Sequence, residues 1–253
     1  MRKILGIARY TYIEIFRNKI WYVLVLFSII LIASTLLLGT LSVELRGRMI
    51  TDLGLATIET IAFLSTVFAA VNLVLEEMES RTLYLILTRP VARAVFITGR
   101  FVGLIAIMTS AFLFMTAAHA GLLAAIHVPL DRHYALSLLF SWEKIVVITA
   151  VALVFSLFST STASAITFTF FFWIMGHFST EILFLARKAS QPAMIFSCKL
   201  FYYLIPNFQT MNIRDMPPDL YNPGWLWAAG GYGLTYTSVC LALTALLFRK
   251  KEF

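Results

Sequence analysis

The sequence predicts an all-α membrane protein that crosses the bilayer several times. Of its 253 residues, 60% are hydrophobic and only 13% are charged, about half the share expected in a soluble domain. Long apolar runs alternate with short charged segments, and a membrane-crossing helix needs about 20 apolar residues. The formal charge of +7 lies mostly beside these runs, which fits anionic lipid headgroups better than nucleic acid. Composition therefore excludes a soluble fold and gives no indication of nucleic-acid binding.

The N-terminal segment, 1–19, is predicted to form an amphipathic helix that lies along the membrane surface. Ile4, Ala8 and Tyr12 fall on one helical face, while arginines recur on another. A disordered basic tail is the alternative. The apolar run 20–41 is longer than the core of a signal peptide, which spans about 7 to 15 residues. It is therefore predicted to be retained as the first span.

The next two spans are predicted at 58–75 and 96–126, where apolar runs are bounded by charges. A charged loop is expected before the second span, and a connection from His127 to Lys144 is expected after the third. Pro129 should prevent a continuous helix in that connection. The charged residues assigned to these two connections are Glu44, Arg46, Arg48, Asp52, Asp131, Arg132 and His133.

From Ile145 to Leu185 the chain is almost free of charge. As one helix, this stretch would be about 62 Å long, twice the thickness of a bilayer core, so it must fold back. The polar cluster 159–162 is the expected hinge, which places the fourth span at 145–158 and the fifth at 163–185. An outer connection, 186–225, then leads to the sixth span at 226–248.

An even number of spans places both termini on the same side of the membrane. Both ends are basic, and the positive-inside rule assigns them to the cytoplasm. The expected location is the inner membrane of a bacterium, the bacterial setting being implied by the resemblance described below.

Sequence motifs for catalysis are absent. The chain contains no HExxH, no GxSxG and no GxxxxGK[ST], so neither membrane proteolysis nor nucleotide binding by a P-loop is predicted. Cys198 and Cys240 are not spaced as a metal or redox pair. The chain is therefore not expected to be an enzyme or to hold a metal or cofactor.

Polar residues within apolar spans are candidates for a substrate path, because such residues are costly in a bilayer. His177 and Glu181 stand four residues apart, so they are expected to share a helical face. They suit a proton relay, or they are interfacial residues that reach water. Glu59 is expected at the start of the second span. The full candidate set is Glu59, Asn72, His119, His177 and Glu181.

The cytoplasmic loop 76–93 carries the most informative pattern. Leu83, Ile86 and Leu87 share one face of a short helix that is too short to span a membrane. Such a helix suits docking into a groove of a partner protein, or it lies on the lipid surface. The predicted docking residues are Glu76, Glu77, Glu79, Arg81, Leu83, Ile86, Leu87, Arg89, Pro90 and Arg93.

At this loop the sequence resembles the permease subunits of ABC transporters of the second, export-type class. The resembling segments are Glu76-Glu77-Met78-Glu79-Ser80-Arg81-Thr82-Leu83, Leu87-Thr88-Arg89-Pro90-Val91-Ala92-Arg93, Phe16-Arg17-Asn18-Lys19, Tyr203-Leu204-Ile205-Pro206-Asn207 and Phe248-Arg249-Lys250-Lys251. The resemblance implies an "elbow" helix at 1–19, a coupling helix in 76–93 and short helices within 186–225. It also implies a second permease copy and separate ATPase subunits that bind ATP and Mg. No residues mark a particular cargo.

The expected function is therefore that of the membrane subunit of an ATP-driven exporter. Two alternatives stay open at this point. One is an ion- or proton-coupled carrier that works without an ATPase, for which Glu59, His119, His177 and Glu181 would be the working residues. The other is a membrane scaffold in an assembly or maturation complex.

Overall fold

The computed structural model describes residues 2–17, 19–39, 46–79, 92–216 and 222–250. Within these ranges the chain forms nine α-helices and one 3-10 helix, and it contains no strand. The 3-10 helix is Phe208–Met211. The α-helices, in chain order, are α1 (Arg2–Arg17), α2 (Lys19–Gly39), α3 (Arg46–Glu79), α4 (Arg93–Ala125), α5 (Arg132–Phe158), α6 (Thr162–His177), α7 (Ser179–Lys188), α8 (Pro192–Leu204) and α9 (Pro223–Lys250).

Four of the described helices, α3, α4, α5 and α9, are long and apolar enough to cross a membrane. The pair α6 and α7 makes a fifth if it is one broken span. Helix α2 has 21 residues, but its described apolar segment, Val25–Leu37, is shorter than the 18 residues that a membrane span needs. The prediction of an all-α, multi-pass membrane protein is confirmed, and the count of six spans stays a prediction.

The second span begins earlier than predicted. Helix α3 starts at Arg46 rather than at residue 58, so Arg46, Arg48 and Asp52 lie on the helix and not in a loop. Arg48 Nε and Asp52 Oδ2 are 3.7 Å apart, one helical turn from each other. Charged residues at this spacing support a helix, which explains why they do not end it.

The fourth span is also longer than the predicted 145–158. Asp131, expected to interrupt a helix, instead caps α5, because its carboxylate accepts a hydrogen bond from the backbone N–H of Tyr134 at 2.8 Å. Most of the predicted connection up to Lys144 is therefore helical. The predicted hinge is correct, since α5 ends at Phe158 and α6 begins at Thr162 after the N-cap Ser161.

The predicted fifth span, 163–185, is not one straight helix. It breaks at Phe178, where the axes of α6 and α7 differ by 68°. Gly176 allows Pro206 and Phe208 to pack closely against the break. A Cβ added at Gly176 would lie 2.5 Å from the Pro206 carbonyl oxygen and 2.5 Å from the Phe208 ring. Residues 186–216 of the predicted outer connection, which we call the outer segment, thus fold back against the end of α6.

The core of the molecule lies between α3 and α5. Within their most apolar stretches, 67% of α3 and 72% of α5 are buried inside the chain, against 28% of α9. Val67, Val71, Ile148 and Ala152 are completely buried between these helices and their neighbours. In the predicted outer connection, between α7 and α9, the described residues form α8 and the 3-10 helix, and α8 has no buried residue.

Candidate functional site

Four polar side chains meet inside the helical bundle, and we call them the charged cluster: Glu59, Ser141, Lys144 and His177. Lys144 Nζ donates to Glu59 Oε1 at 2.9 Å, and Ser141 Oγ donates to Glu59 Oε2 at 2.6 Å. His177 Nε2 lies 3.5 Å from Glu59 Oε1. The cluster therefore joins α3, α5 and the end of α6 at one carboxylate.

The partners of Glu59 follow from helix geometry and from the cost of burying charge. Ser141 and Lys144 are three residues apart, so they share a face of α5. Only 3% of the Lys144 side chain and 12% of the Glu59 side chain are exposed. A buried carboxylate is tolerated only when it is paired and hydrogen-bonded. The cluster meets that requirement from within the chain.

His177 links the charged cluster to the break between α6 and α7. Its Nδ1 lies 2.9 Å from the Trp173 carbonyl oxygen, and because a carbonyl only accepts, Nδ1 carries a proton. Nε2 therefore makes an ionic contact with Glu59 only when the imidazole is doubly protonated. The ring packs against Trp173 and Phe208, with centroid distances of 4.6 Å and 5.2 Å.

Asn207 organises the outer segment beside the cluster. Its Oδ1 accepts from Ser179 Oγ at 2.6 Å and from the backbone N–H groups of Gln209 and Thr210. Its own N–H donates to the Tyr232 hydroxyl of α9 at 2.8 Å. Gln209 Nε2 in turn donates to the carbonyl oxygen of His177 at 2.8 Å. The outer segment is thus held to α6, α7 and α9 at once.

The five predicted substrate-path residues do not form one site. Glu59 and His177 meet, but Glu59 lies well inside α3 rather than at the start of a span. Glu181 is exposed on α7, and the bend separates it from His177, so the expected shared helical face is wrong. Asn72 lies nearer the end of α3 and is half-buried.

His119 belongs to a separate contact between α3, α4 and α5. Its Nδ1 lies 3.1 Å from the Tyr134 hydroxyl, and its ring is completely buried. Gly54 of α3 packs against the same ring so closely that a Cβ there would overlap it. His119 therefore packs between α3 and α5 and does not contact the charged cluster through the described hydrogen bonds, while its predicted role in a substrate path stays a prediction.

Helix α1 is amphipathic and packs on α4, while its position along the membrane surface stays a prediction. Arg100 Nη1 donates to Glu14 Oε2 at 2.6 Å and to Thr11 Oγ1 at 2.9 Å. Gly99 and Gly103 form a GxxxG spacing that lets helix backbones approach closely. A Cβ at Gly103 would lie 2.7 Å from the Ala8 carbonyl oxygen. The elbow is thus fixed to the helix that follows loop 76–93.

The predicted docking residues lie mostly outside the described residues. Glu76, Glu77 and Glu79 are on the last turns of α3, and Arg93 is the first residue of α4, but their side chains are not described. Arg81, Leu83, Ile86, Leu87, Arg89 and Pro90 fall in the range 80–91, which is not described.

The described part of the chain contains no group of three or more His, Cys, Asp or Glu side chains placed to hold a metal ion. The described contacts that sequence reasoning missed are those of Ser141, Lys144 and Arg100. A signal for Lys144 existed, since it directly precedes a long apolar run, and a lysine there with a glutamate in another span favours an ion pair. The sequence did not indicate which residues of α5 lie beside which residues of α3, so it did not identify Glu59 as the partner of Lys144.

Residues 15–253 match a family model described as "ABC-2 family transporter protein". A comparison with curated proteins gave no match. The matched range begins within α1 and includes the charged cluster, the loop between α3 and α4 and the outer segment.

Proposed function

The chain belongs to the ABC-2 family of transporter proteins, and from this we propose that it is the membrane subunit of an ATP-driven exporter. ATP and Mg would be bound by a separate ATPase subunit that docks on loop 76–93. The observation that carries the proposal is the family match over nearly the whole chain, that loop included. The chain would work as a mechanical gate and leave ATP hydrolysis to its partner.

The packing of the described helices supports a path for force from the cytoplasmic side. Loop 76–93 joins the end of α3 to the start of α4, two of the long apolar helices. Arg100 lies two turns into α4 and ties it to Glu14 of α1. A movement of the loop would therefore displace α3 and α4, and it would reach α1 through the contacts of Arg100 with Glu14 and Thr11.

The charged cluster supports transmission to the other end of the molecule. Glu59 of α3 is bonded to Lys144 of α5 and lies beside His177 at the break between α6 and α7. A shift of α3 would move the outer segment through these contacts. The proposed gate thus connects the ATPase side to the outer side through paired charges in the middle of the bundle.

We further propose a dimer of permease subunits in a bacterial inner membrane, with both termini in the cytoplasm. A single bundle is closely packed between α3 and α5, and this leaves little room there for a sizeable cargo. A second copy, identical or related, would supply the other wall of the route.

The test is purification of the chain from its native membrane in mild detergent, with an assay for ATP hydrolysis in the purified material. An ATPase subunit is expected to copurify with the natural chain and to be lost from the Leu83→Glu, Leu87→Glu double variant. Leu130→Glu is the matched control, since Leu130 is an exposed leucine in the connection at the other end of α4. It should retain the ATPase.

Two results would contradict the proposal. Gradient-driven transport by the purified chain without any ATPase would indicate an ion- or proton-coupled carrier. An ATPase that is stimulated by the chain while no cargo moves would indicate a scaffold in an assembly complex. Native mass spectrometry of the same sample would count the permease copies.

A further inference from the structure

A cavity of about 580 Å³ lies between α5 and α9, apart from the charged cluster. Its size is typical of a pocket for a small molecule. Leu136, Leu139 and Val146 line it from α5, and Leu226, Trp227 and Leu234 line it from α9. The lining is therefore mostly apolar, and Trp227 at its rim is highly exposed.

Two polar atoms in the wall of this cavity lack a partner among the described residues. One is the carboxylate oxygen Oε1 of Glu143, and the other is the hydroxyl of Thr237, whose residue is only 6% exposed. Both atoms are shielded from solvent by the protein. Buried polar atoms are nearly always hydrogen-bonded in native proteins, so a missing donor is indicated at this place.

Glu143 differs in this respect from Glu59, although both carboxylates lie inside apolar helices. Glu59 receives hydrogen bonds from Lys144 and Ser141. Lys144 is the neighbour of Glu143 in sequence, but its ammonium group is paired with Glu59 of α3. Glu143 is about 16 Å along α5 from Arg132, the cationic side chain that also lines the cavity. Its Oε1 therefore lies inside a long apolar helix without a hydrogen-bond partner among the described residues.

Helix α9 is built to leave this space open. Gly230, Gly231 and Gly233 all line the cavity, although glycine is a poor helix former. A Cβ at Gly233 would overlap Glu143 Oε1, whereas a Cβ at Gly231 would meet no atom within 4 Å. The glycines thus make room for the carboxylate on one side and for a ligand on the other.

We propose that this cavity binds a lipophilic amine, with the apolar body between α5 and α9 and the ammonium group on Glu143. An ammonium donates hydrogen bonds and carries the charge opposite to that of a carboxylate. It would therefore form a hydrogen bond with Glu143 Oε1, which a hydrocarbon chain cannot do. The Thr237 hydroxyl, which also lines the cavity and lacks a partner among the described residues, is a second polar group available to the ligand. Amine binding at this site needs only a chain inserted in a membrane and does not depend on an ATPase.

The experiment uses the purified full chain in phosphatidylcholine nanodiscs with no ATPase present. A long-chain amine that carries a diazirine is cross-linked by light, and the labelled peptides are identified by mass spectrometry. Dodecylamine and dodecanol then compete with it. We expect labels on α5 and α9 and competition by dodecylamine at about tenfold lower concentration than by dodecanol, as an added charged hydrogen bond gives.

Two variants and one control decide the outcome. Glu143→Gln should bring the two competitors to within about twofold of each other, and Gly231→Leu should remove the labels from α5 and α9 by filling the cavity. Glu181→Gln makes the same chemical change on exposed α7 and should alter nothing. Equal competition by amine and alcohol in the natural chain would overturn the proposal and indicate a groove for acyl chains. Labels elsewhere, or labels unchanged in both variants, would overturn it as well.

Discussion

At the scale of single residues, the stability of the bundle depends on how each buried charge is paired. Glu59 has a cation and a hydroxyl within hydrogen-bonding distance, and Lys144 is almost fully buried against it. Such a pair contributes little net stability over an apolar pair, but the loss of one partner is costly because the other charge stays buried. The cluster is therefore sensitive to single substitutions.

We predict that Lys144→Met destabilises the chain by about 3 to 5 kcal/mol, because Glu59 is left buried without its cation. Adding Glu59→Gln to the same chain should recover a large part of the loss. Thermal unfolding in detergent micelles measures both. Asp52→Asn is the control, since it breaks the exposed pair of Asp52 with Arg48 and should change little. If the destabilisation of the double variant equals the sum for the Lys144→Met and Glu59→Gln single variants, the two residues do not act as a pair.

At the scale of helices, the contact between α1 and α4 begins within two turns of the end of loop 76–93 in sequence. Gly99 and Gly103 bring α4 against Ile7, Ala8 and Thr11 of α1. Arg100 lies between these glycines in sequence, and its guanidinium stands over the ring of Tyr10 at 5.3 Å. The elbow is therefore attached through close backbone packing and a buried cation, and not through lipid contact alone.

We expect Gly103→Val to lift α1 from α4 and to destabilise the chain by about 1 to 3 kcal/mol, the usual cost of overpacking. Limited trypsin digestion should then cut faster after Arg9 and Arg17, which are exposed on α1. Gly121→Val provides the matched control on the same helix, because a Cβ at Gly121 meets no atom within 4 Å. Unchanged cleavage in the Gly103 variant would show that the elbow is held by other contacts.

The sequence predicted long apolar helices better than it predicted their ends. The hinge at 159–162 was found because four small polar residues interrupt an uncharged run. The starts of α3 and α5 were missed, since Arg48, Asp52 and Asp131 carry charges that in fact support or cap a helix. The break at Phe178 depends on Gly176 packing against Pro206 and Phe208, a distant contact that local sequence does not encode.

Candidate polar residues were likewise easier to identify than to connect. Glu59 and His177 are both unusual in apolar segments, which the sequence shows. Their contact depends on how far α3 and α6 are shifted relative to each other along their axes, which the sequence does not show. Lys144 and Ser141 were overlooked because they were assigned to a connection. Pairing across helices is set by tertiary packing, so a pattern read along one segment cannot supply it.

At the scale of the whole molecule, the arrangement of helices predicts two faces with different exposure to solutes. The outer segment, with Asp215 exposed near its end, is expected outside the cell, while α1 is expected at the cytoplasmic face. The four long apolar helices, together with the broken pair, would separate these two faces.

We predict the accessibility of single cysteines in a chain whose Cys198 and Cys240 are replaced by serine and alanine. A cysteine at position 215 should react with a membrane-impermeant maleimide in intact cells. One at position 9, exposed on α1, should react only after the membrane is permeabilised. Reaction at both positions in intact cells would contradict the proposed orientation.

The break at Phe178 also has a consequence for the surrounding lipid. Helix α6 has 16 residues, which gives a length of about 24 Å, whereas the hydrocarbon core of a bilayer is about 30 Å thick. Because α7 turns away by 68°, the apolar height of the protein on this flank is too small for the bilayer. We expect lipids beside it to thin or tilt, because this reduces the hydrophobic mismatch. The stability of the protein should therefore depend on the thickness of the membrane that holds it.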